Sequence, residues 1–363
     1  MRIQEYITGK RKMKSEGRHI GWLLGSMLVL LALVACSEDG SDDSRTDEPQ
    51  GNLRLSSVTR ANTRLTPSNG NSIKMYVMTK NAQYATGSFN YTTAWTNTGV
   101  SVKEHEQYYM YGYMPGSYTS SISATATDLN GDYSKGADLT ITGLPVFASE
   151  DICVTVGVGR VTANTDETEA VEGNYGYLSG LNSENYVNLL MDHLYGRLIL
   201  QFNVDADYNA LRHIKLKTVT LTSTYGEKVD ATVMLRAGNG LGVNSVSYAK
   251  NTSGADSKTL EILKTTDADK SLSTTATETS FGPFFCAPST FDANGSNLSL
   301  TCTYDVLNTA GTKVLRANCT ATNKLRVSGM AHGVTHTVTV TIAPTYIYVL
   351  SDDDLNNPTI LIN

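Results

Sequence analysis

Cys36 and Arg60 are the two residues whose surroundings point to a defined reaction. One is a thiol at the end of an apolar run, and the other is a basic residue closing a short alternating stretch, the side chain a trypsin-like protease reads. The remaining reactive groups lack partners along the chain. Cys153, Cys286, Cys302 and Cys319 show no metal-ligand spacing. Cys302 and Cys319 stand about symmetrically across Ala310-Gly311, which leaves two readings open: a cross-strand disulfide in an oxidising compartment, or buried free thiols. His332 and His336 fall on an expected strand, where a separation of four residues is too long to chelate one ion. Asp128-Leu129-Asn130-Gly131-Asp132 has its glycine in the wrong place for a calcium loop and no closing glutamate, so it reads as a turn. Gly238-Asn239-Gly240-Leu241-Gly242 lacks the Lys-Ser and the helix of a phosphate cradle and reads as a loop. The rings of Tyr108, Tyr109, Tyr111 and Tyr113 could stack on a sugar, but alternation is expected to put half of them in a core. With no Gly-x-Ser-x-Gly elbow, no His-Glu-x-x-His and no recognisable carboxylate pair, no catalytic, cofactor-binding or metal residue is assigned. An enzyme is the weakest functional class.

The elements that hold these residues are strands. Ser, Thr, Tyr, Val and Gly dominate, charged residues are 18%, and long stretches of helix-favouring residues are absent, an all-β composition. Strands are expected over residues 73–78, 87–93, 107–114, 137–141 and 152–157, separated by turn signals such as Pro115-Gly116-Ser117. The polar stretch 162–172 carries four acids and reads as a surface loop. A second set begins with the segment 187–204, whose latter half puts Leu198, Leu200, Phe202 and Val204 on one face. Hairpins are expected for 214–222 with 229–236 and for 297–306 with 313–322, and a Thr/Val strand for 333–342. Two β-sandwiches in series, residues 61–192 and 193–363, accommodate this pattern. After Arg60 there are 20 basic and 27 acidic residues, a net of −7, which argues against nucleic acid as a partner.

Both chain ends carry more specific signals. Arg2, Lys10, Arg11, Lys12, Lys14 and Arg18 precede the apolar run 20–35, the layout of a secretory signal. Its 16 residues fall short of the roughly 20 of a membrane span. Residues 37–50 hold six acids, one arginine and no aromatic, and read as a solvated tether. In 52–59, Leu53 and Leu55 alternate with polar residues, which fits one short amphipathic strand. At the other end, Tyr346, Tyr348 and Leu350 share one face, Ile347 and Val349 the other, and Ile360, Leu361 and Ile362 close the sequence. So apolar a terminus is unusual where chain ends normally fray.

The junction Leu33-Val34-Ala35-Cys36-Ser37 closely resembles the lipobox of bacterial lipoproteins. That resemblance implies removal of residues 1–35 as a signal peptide and acylation of Cys36, and two or three acyl chains hold a protein on a membrane essentially permanently. The whole order of features, from lipobox, acidic tether and a strand ending Thr59-Arg60-Ala61 to the segment around His193 and the apolar tail, resembles the fimbrillins, subunits of the type V pili of anaerobic diderm bacteria. The likeness is one of arrangement and covers nearly the entire chain. It implies two transthyretin-like β-sandwich domains in tandem, no cofactor, export to the outer membrane and then an extracellular fimbrium. It further implies that an arginine-specific protease cuts between Arg60 and Ala61, removing the propeptide 36–60 with its strand. The tail of another subunit, of the same or a different kind, then fills the vacated groove. Unpaired backbone beside an apolar slot recruits a strand, and donor-strand complementation in pilins is an established instance of such recruitment. Four tail side chains at roughly 1.5 to 3 kcal/mol each exceed what Leu53, Leu55 and Val58 supply, so exchange runs forward after cleavage. A cleavable Arg60 together with an apolar tail favours a shaft subunit over a tip or an anchor. The rival reading is a monomeric surface lipoprotein that keeps its lipid and binds a glycan or host protein.

Overall fold

The structure, a computed structural model, describes residues 50–60, 63–161, 170–288, 297–327, 330–343 and 359–362. The leader, Cys36, the acidic tether, Ala61 and the tail segment 346–350 lie outside the described residues.

Strand follows strand. The first group is β1 (Gln50–Asn52), β2 (Arg54–Arg60), β3 (Thr63–Arg64), β4 (Ser72–Met78), β5 (Gln83–Tyr91), β6 (Trp95–Thr98), β7 (Ser101–Lys103) and β8 (Gln107–Met114). Next come β9 (Thr119–Ser123), β10 (Gly136–Pro145), β11 (Phe147–Ala148), β12 (Cys153–Val161), β13 (Val171–Glu172), β14 (Gly176–Leu178), β15 (Tyr186–His193) and β16 (Gly196–Val204). After one helical turn, α1 (Ala206–Asn209), the chain continues with β17 (His213–Ser223), β18 (Lys228–Arg236), β19 (Val246–Lys250), β20 (Lys258–Leu263), β21 (Lys270–Ser271) and β22 (Ser280–Cys286). It closes with β23 (Leu298–Leu307), β24 (Val314–Lys324), β25 (Thr335–Ala343) and β26 (Thr359–Ile362). The protein is all-β, as its composition implies.

A large sheet in the order β3-β2-β15-β12-β8-β4-β5-β6 organises the first half, and both of its faces are covered. Ile73, Met75 and Val77 of β4, with Tyr108 and Met110 of β8, point into one core. Their neighbours Tyr76, Met78, Tyr111 and Tyr113 point into another. Strands with two buried faces lose the clean apolar-polar alternation of a half-exposed strand. Tyr108, Tyr111 and Tyr113 are accordingly all buried, where alternation predicted only half, and sugar stacking loses those rings. Close packing at the centre requires Gly112, since a Cβ there would meet Met75 Sδ at 2.3 Å and the Lys74 carbonyl oxygen at 2.6 Å.

The second core is shared with the sheets β19-β18-β10-β9, β11-β22-β16-β25-β26 and β20-β17-β23-β24. The segment 187–204 divides between β15 in the large sheet and β16 in another, and the chain crosses at the buried Leu194 and Tyr195. The hairpin of 298–307 with 314–324 forms as expected, whereas the hairpin expected between 214–222 and 229–236 does not. β17 pairs with β20 and β23, while β18 crosses to pair with β10 and β19. β18 turns Val229, Ala231, Val233 and Leu235 into the shared core, and burying that row outweighs pairing with its nearest neighbour in sequence. Glu172, assigned to a loop, lies in β13 against Gly157. Cys302 faces Ala321 across the ladder rather than Cys319, and both thiols are free. His332 precedes β25 and lies 3.1 Å from the Gly242 carbonyl oxygen, and His336 sits within β25 opposite Leu198.

Candidate functional site at the first strand

β2 lies along β15 in parallel, from Arg54 opposite Tyr186 to Arg60 opposite Met191. Outside it, among the described residues, stands the two-residue β3, with Thr59 opposite Arg64 and Arg60 opposite Thr63. Its first half is tied by polar contacts. The Arg54 amide donates to the Asn185 carbonyl at 2.9 Å, Arg54 Nη1 donates to the Tyr186 hydroxyl at 2.8 Å, and Ser57 Oγ donates to Asn188 Oδ1 at 2.8 Å.

The apolar side chains face inward. Leu53, Leu55 and Val58 are almost wholly buried in the core they share with Ile73, Phe89, Tyr108, Val187 and Leu189. Leu53 and Leu55 are two apart but Val58 comes three later, which strict alternation would turn outward. The ladder slips by one at this point: Leu55 pairs with Val187 and Ser57 with Asn188, so Ser56 is an inserted residue. Such a bulge flips the parity of everything after it. It brings Val58 back to the core, and two residues further on it turns Arg60 inward as well.

Arg60 therefore meets a polar cluster at the end of the large sheet. Its Nη1 lies 3.6 Å from Asp151 Oδ2, and the same oxygen lies 2.6 Å from His193 Nδ1. Cys153, opposite His193 in the β12–β15 ladder, places Sγ 3.7 Å from that nitrogen. Three adjacent strands supply Arg60, His193 and Cys153, and Asp151 enters two residues before Cys153, on the same face of the chain. Side-chain exposure is 26% for Arg60, 14% for His193 and 11% for Asp151, whereas Cys153 is fully buried. Burial pushes the Cys153 thiol well above its ordinary range; Asp151 adds to this and the Arg60 guanidinium opposes it. Asp151 Oδ1 is buried without a hydrogen-bond partner. The only linear trace of this cluster is Asp151-x-Cys153, and His193, 40 residues away, is recruited by ladder register alone.

Of the expected tail residues, those at 360–362 lie in β26, antiparallel to β25 from Ala343 opposite Thr359 to Val340 opposite Ile362. In this single chain the end of the tail occupies an edge of its own sheet. Arg64 is exposed on β3 and Arg54 is exposed on β2, so Arg60 is the arginine of this segment held by an acid.

No family model matches the sequence, and no curated protein matches it. Solved structures do. A fimbrial protein from Bacteroides vulgatus is 14% identical over 86% of this chain and 98% of its own, with a TM-score of 0.45. A protein provisionally assigned to cell adhesion, from Bacteroides fragilis, is 12% identical over 89% and 91%, with a TM-score of 0.39. A fimbrial protein from Bacteroides ovatus is 8% identical over 81% of this chain and 50% of its own, with a TM-score of 0.32.

Proposed function

We propose that this chain is a structural subunit of a surface pilus used in adhesion, and that its first strand is a placeholder. In this reading Cys36 is acylated and holds the precursor on the outer membrane, and a protease cuts after Arg60. The strand departs, and the tail of a neighbouring subunit takes its place. The observation that carries the reading is the position of residues 53–60: they contribute Leu53, Leu55 and Val58 to a core, yet outside β2, among the described residues, stands the short β3 alone. Removing such a strand leaves open backbone donors on β15 beside an apolar slot, a template for another strand. The same reading takes residues 61–192 and 193–363 as the two sandwiches of the subunit. The chain leaves β15 for β16 at Leu194 and Tyr195, and β18 returns to pair with β10.

N-terminal sequencing of protein sheared from cells tests this directly. The expected start is Ala61, or Leu65 if the exposed Arg64 is cut instead. A sheared protein that begins upstream of Leu53 retains its strand, which is incompatible with replacement. Limited trypsin treatment of the precursor should give the same two starts.

A further inference from the structure

We infer that Asp151, Cys153 and His193 form a binding site for a divalent transition cation of the zinc class, and that Arg60 keeps it closed in the precursor. Thiolate, imidazole and carboxylate are the ligand types that zinc accepts, and three protein ligands with a fourth position open is a common arrangement. The three ligand atoms lie within 4.8 Å of one another, and the 3.7 Å between Cys153 Sγ and His193 Nδ1 suits two corners of a tetrahedron around one ion. The 2.6 Å between His193 Nδ1 and Asp151 Oδ2 is a hydrogen-bond distance; to admit the ion it has to open by roughly 1 Å, with the imidazole proton moved by solvent exchange from Nδ1 to Nε2. Asp151 Oδ1, buried with no hydrogen-bond donor, supplies unused acceptor capacity at the same place.

Charge explains why the two cations exclude each other. In the precursor the Arg60 guanidinium lies 3.6 Å from the Asp151 carboxylate and balances its charge. A divalent ion would bind Asp151 and the Cys153 thiolate, releasing the thiol proton to water, and the site would again be neutral. With Arg60 present the dication would face an added positive charge at close range in a poorly solvated corner. Removal of Arg60 with β2 leaves a carboxylate without its counter-ion and opens the cluster from the side of the strand that left. That last step rests on the strand removal proposed above; the competition between Arg60 and a metal does not.

Cobalt(II) serves as the probe, because a Cys153 ligand gives a thiolate-to-cobalt absorption band in the near ultraviolet. Titrated into full-length protein in detergent, it should give little band with the wild type and a full band at one equivalent with Arg60→Ala. Binding should be at least about tenfold tighter in the variant, the scale on which groups around a metal site move its affinity. Zinc should displace the cobalt, and Cys153→Ser in the Arg60→Ala background should abolish the band. Arg60→Lys, which keeps the charge, should stay closed. Arg60→Gln provides the same reading if the alanine variant folds poorly, as judged by circular dichroism. Absence of the band in a folded, neutral-residue variant overturns the site, and an equal band in wild type and variant overturns the closure by Arg60. Protein cut after Arg60 separates the two proposals. A cut chain that keeps its strand while Arg60→Ala binds cobalt removes the maturation step alone. A cut chain that releases its strand while no form binds cobalt removes the metal site alone.

Discussion

Two strands near the ends of the described chain, β2 and β26, both lie at the margin of a sheet but are held there by different means. β2 is seven residues long and parallel to β15; with Leu53 just before it, it buries Leu55 and Val58 in a core, and it is fastened at its far end by the contact of Arg60 with Asp151. β26 is four residues long, antiparallel, and outermost on β25 among the described residues. A strand that fills a core cannot leave without a substitute, whereas a short edge strand can detach at the cost of a few ladder bonds. In the proposed exchange the first description fits the acceptor groove and the second fits a tail free to move.

The strongest test of this asymmetry is assembly. Deleting residues 358–363 should leave a folded protein, changed in stability by no more than about 1 kcal/mol, and should abolish polymers seen by electron microscopy. A synthetic peptide spanning residues 344–363 should bind the truncated chain only after cleavage at Arg60. Normal polymers from the truncated chain, or equal peptide binding before and after cleavage, would remove the tail from the mechanism. Next in size, Leu53→Ala should destabilise the precursor by about 2 to 5 kcal/mol in denaturant titrations, as large-to-small changes in a packed core do. If cleavage releases residues 53–60 with β2, the same substitution should have no effect on the cleaved subunit. Deletion of Ser56 should cost about 2 kcal/mol by returning Val58 to the solvent side. It should also free Arg60 from Asp151, which N-terminal sequencing after limited trypsin would register as a shift from Leu65 starts toward Ala61 starts. The smallest effect expected is that of Asp151→Asn. It removes the charge that Arg60 meets at 3.6 Å and weakens the contact with His193, and should raise the initial rate of cutting after Arg60 about threefold while leaving Arg64 unchanged. A slower cut at Arg60 would mean that Asp151 presents the arginine instead of restraining it.

Much of this arrangement is legible in the residues, and what is not has a common cause. β8, β16 and the β23–β24 hairpin follow from alternation and turn chemistry, which are local properties of sequence. The partners of β17 and β18 are not local: each strand shows its apolar row, but nothing in a row says which core it will face. The two-sided burial of Tyr108 and Tyr111 is a property of the sheet that surrounds β8. At the site, Leu53 and Leu55 show an apolar side by alternation, whereas Val58 joins them only through the bulge. The orientation of Arg60 is hidden, because it depends on an inserted residue visible only in the β2–β15 register. The cluster of Asp151, Cys153 and His193 is hidden for the same reason, since strand pairing sets distances that chain spacing does not.

The direction of β2 bears on how a fibre would carry force. A donor strand seated in its place and running the same way would enter beside Tyr186 and end beside Met191, spanning about 20 Å at roughly 3.3 Å per residue. Tension along the fibre would then pull along the strand axis and across the ladder bonds. All of those bonds would resist together, in shear, instead of peeling open one after another from an end. The direction of entry would also be the same at every joint, because each acceptor presents the same β15. A head-to-tail contact of this kind builds a filament with two unlike ends wherever its rotation does not close into a ring.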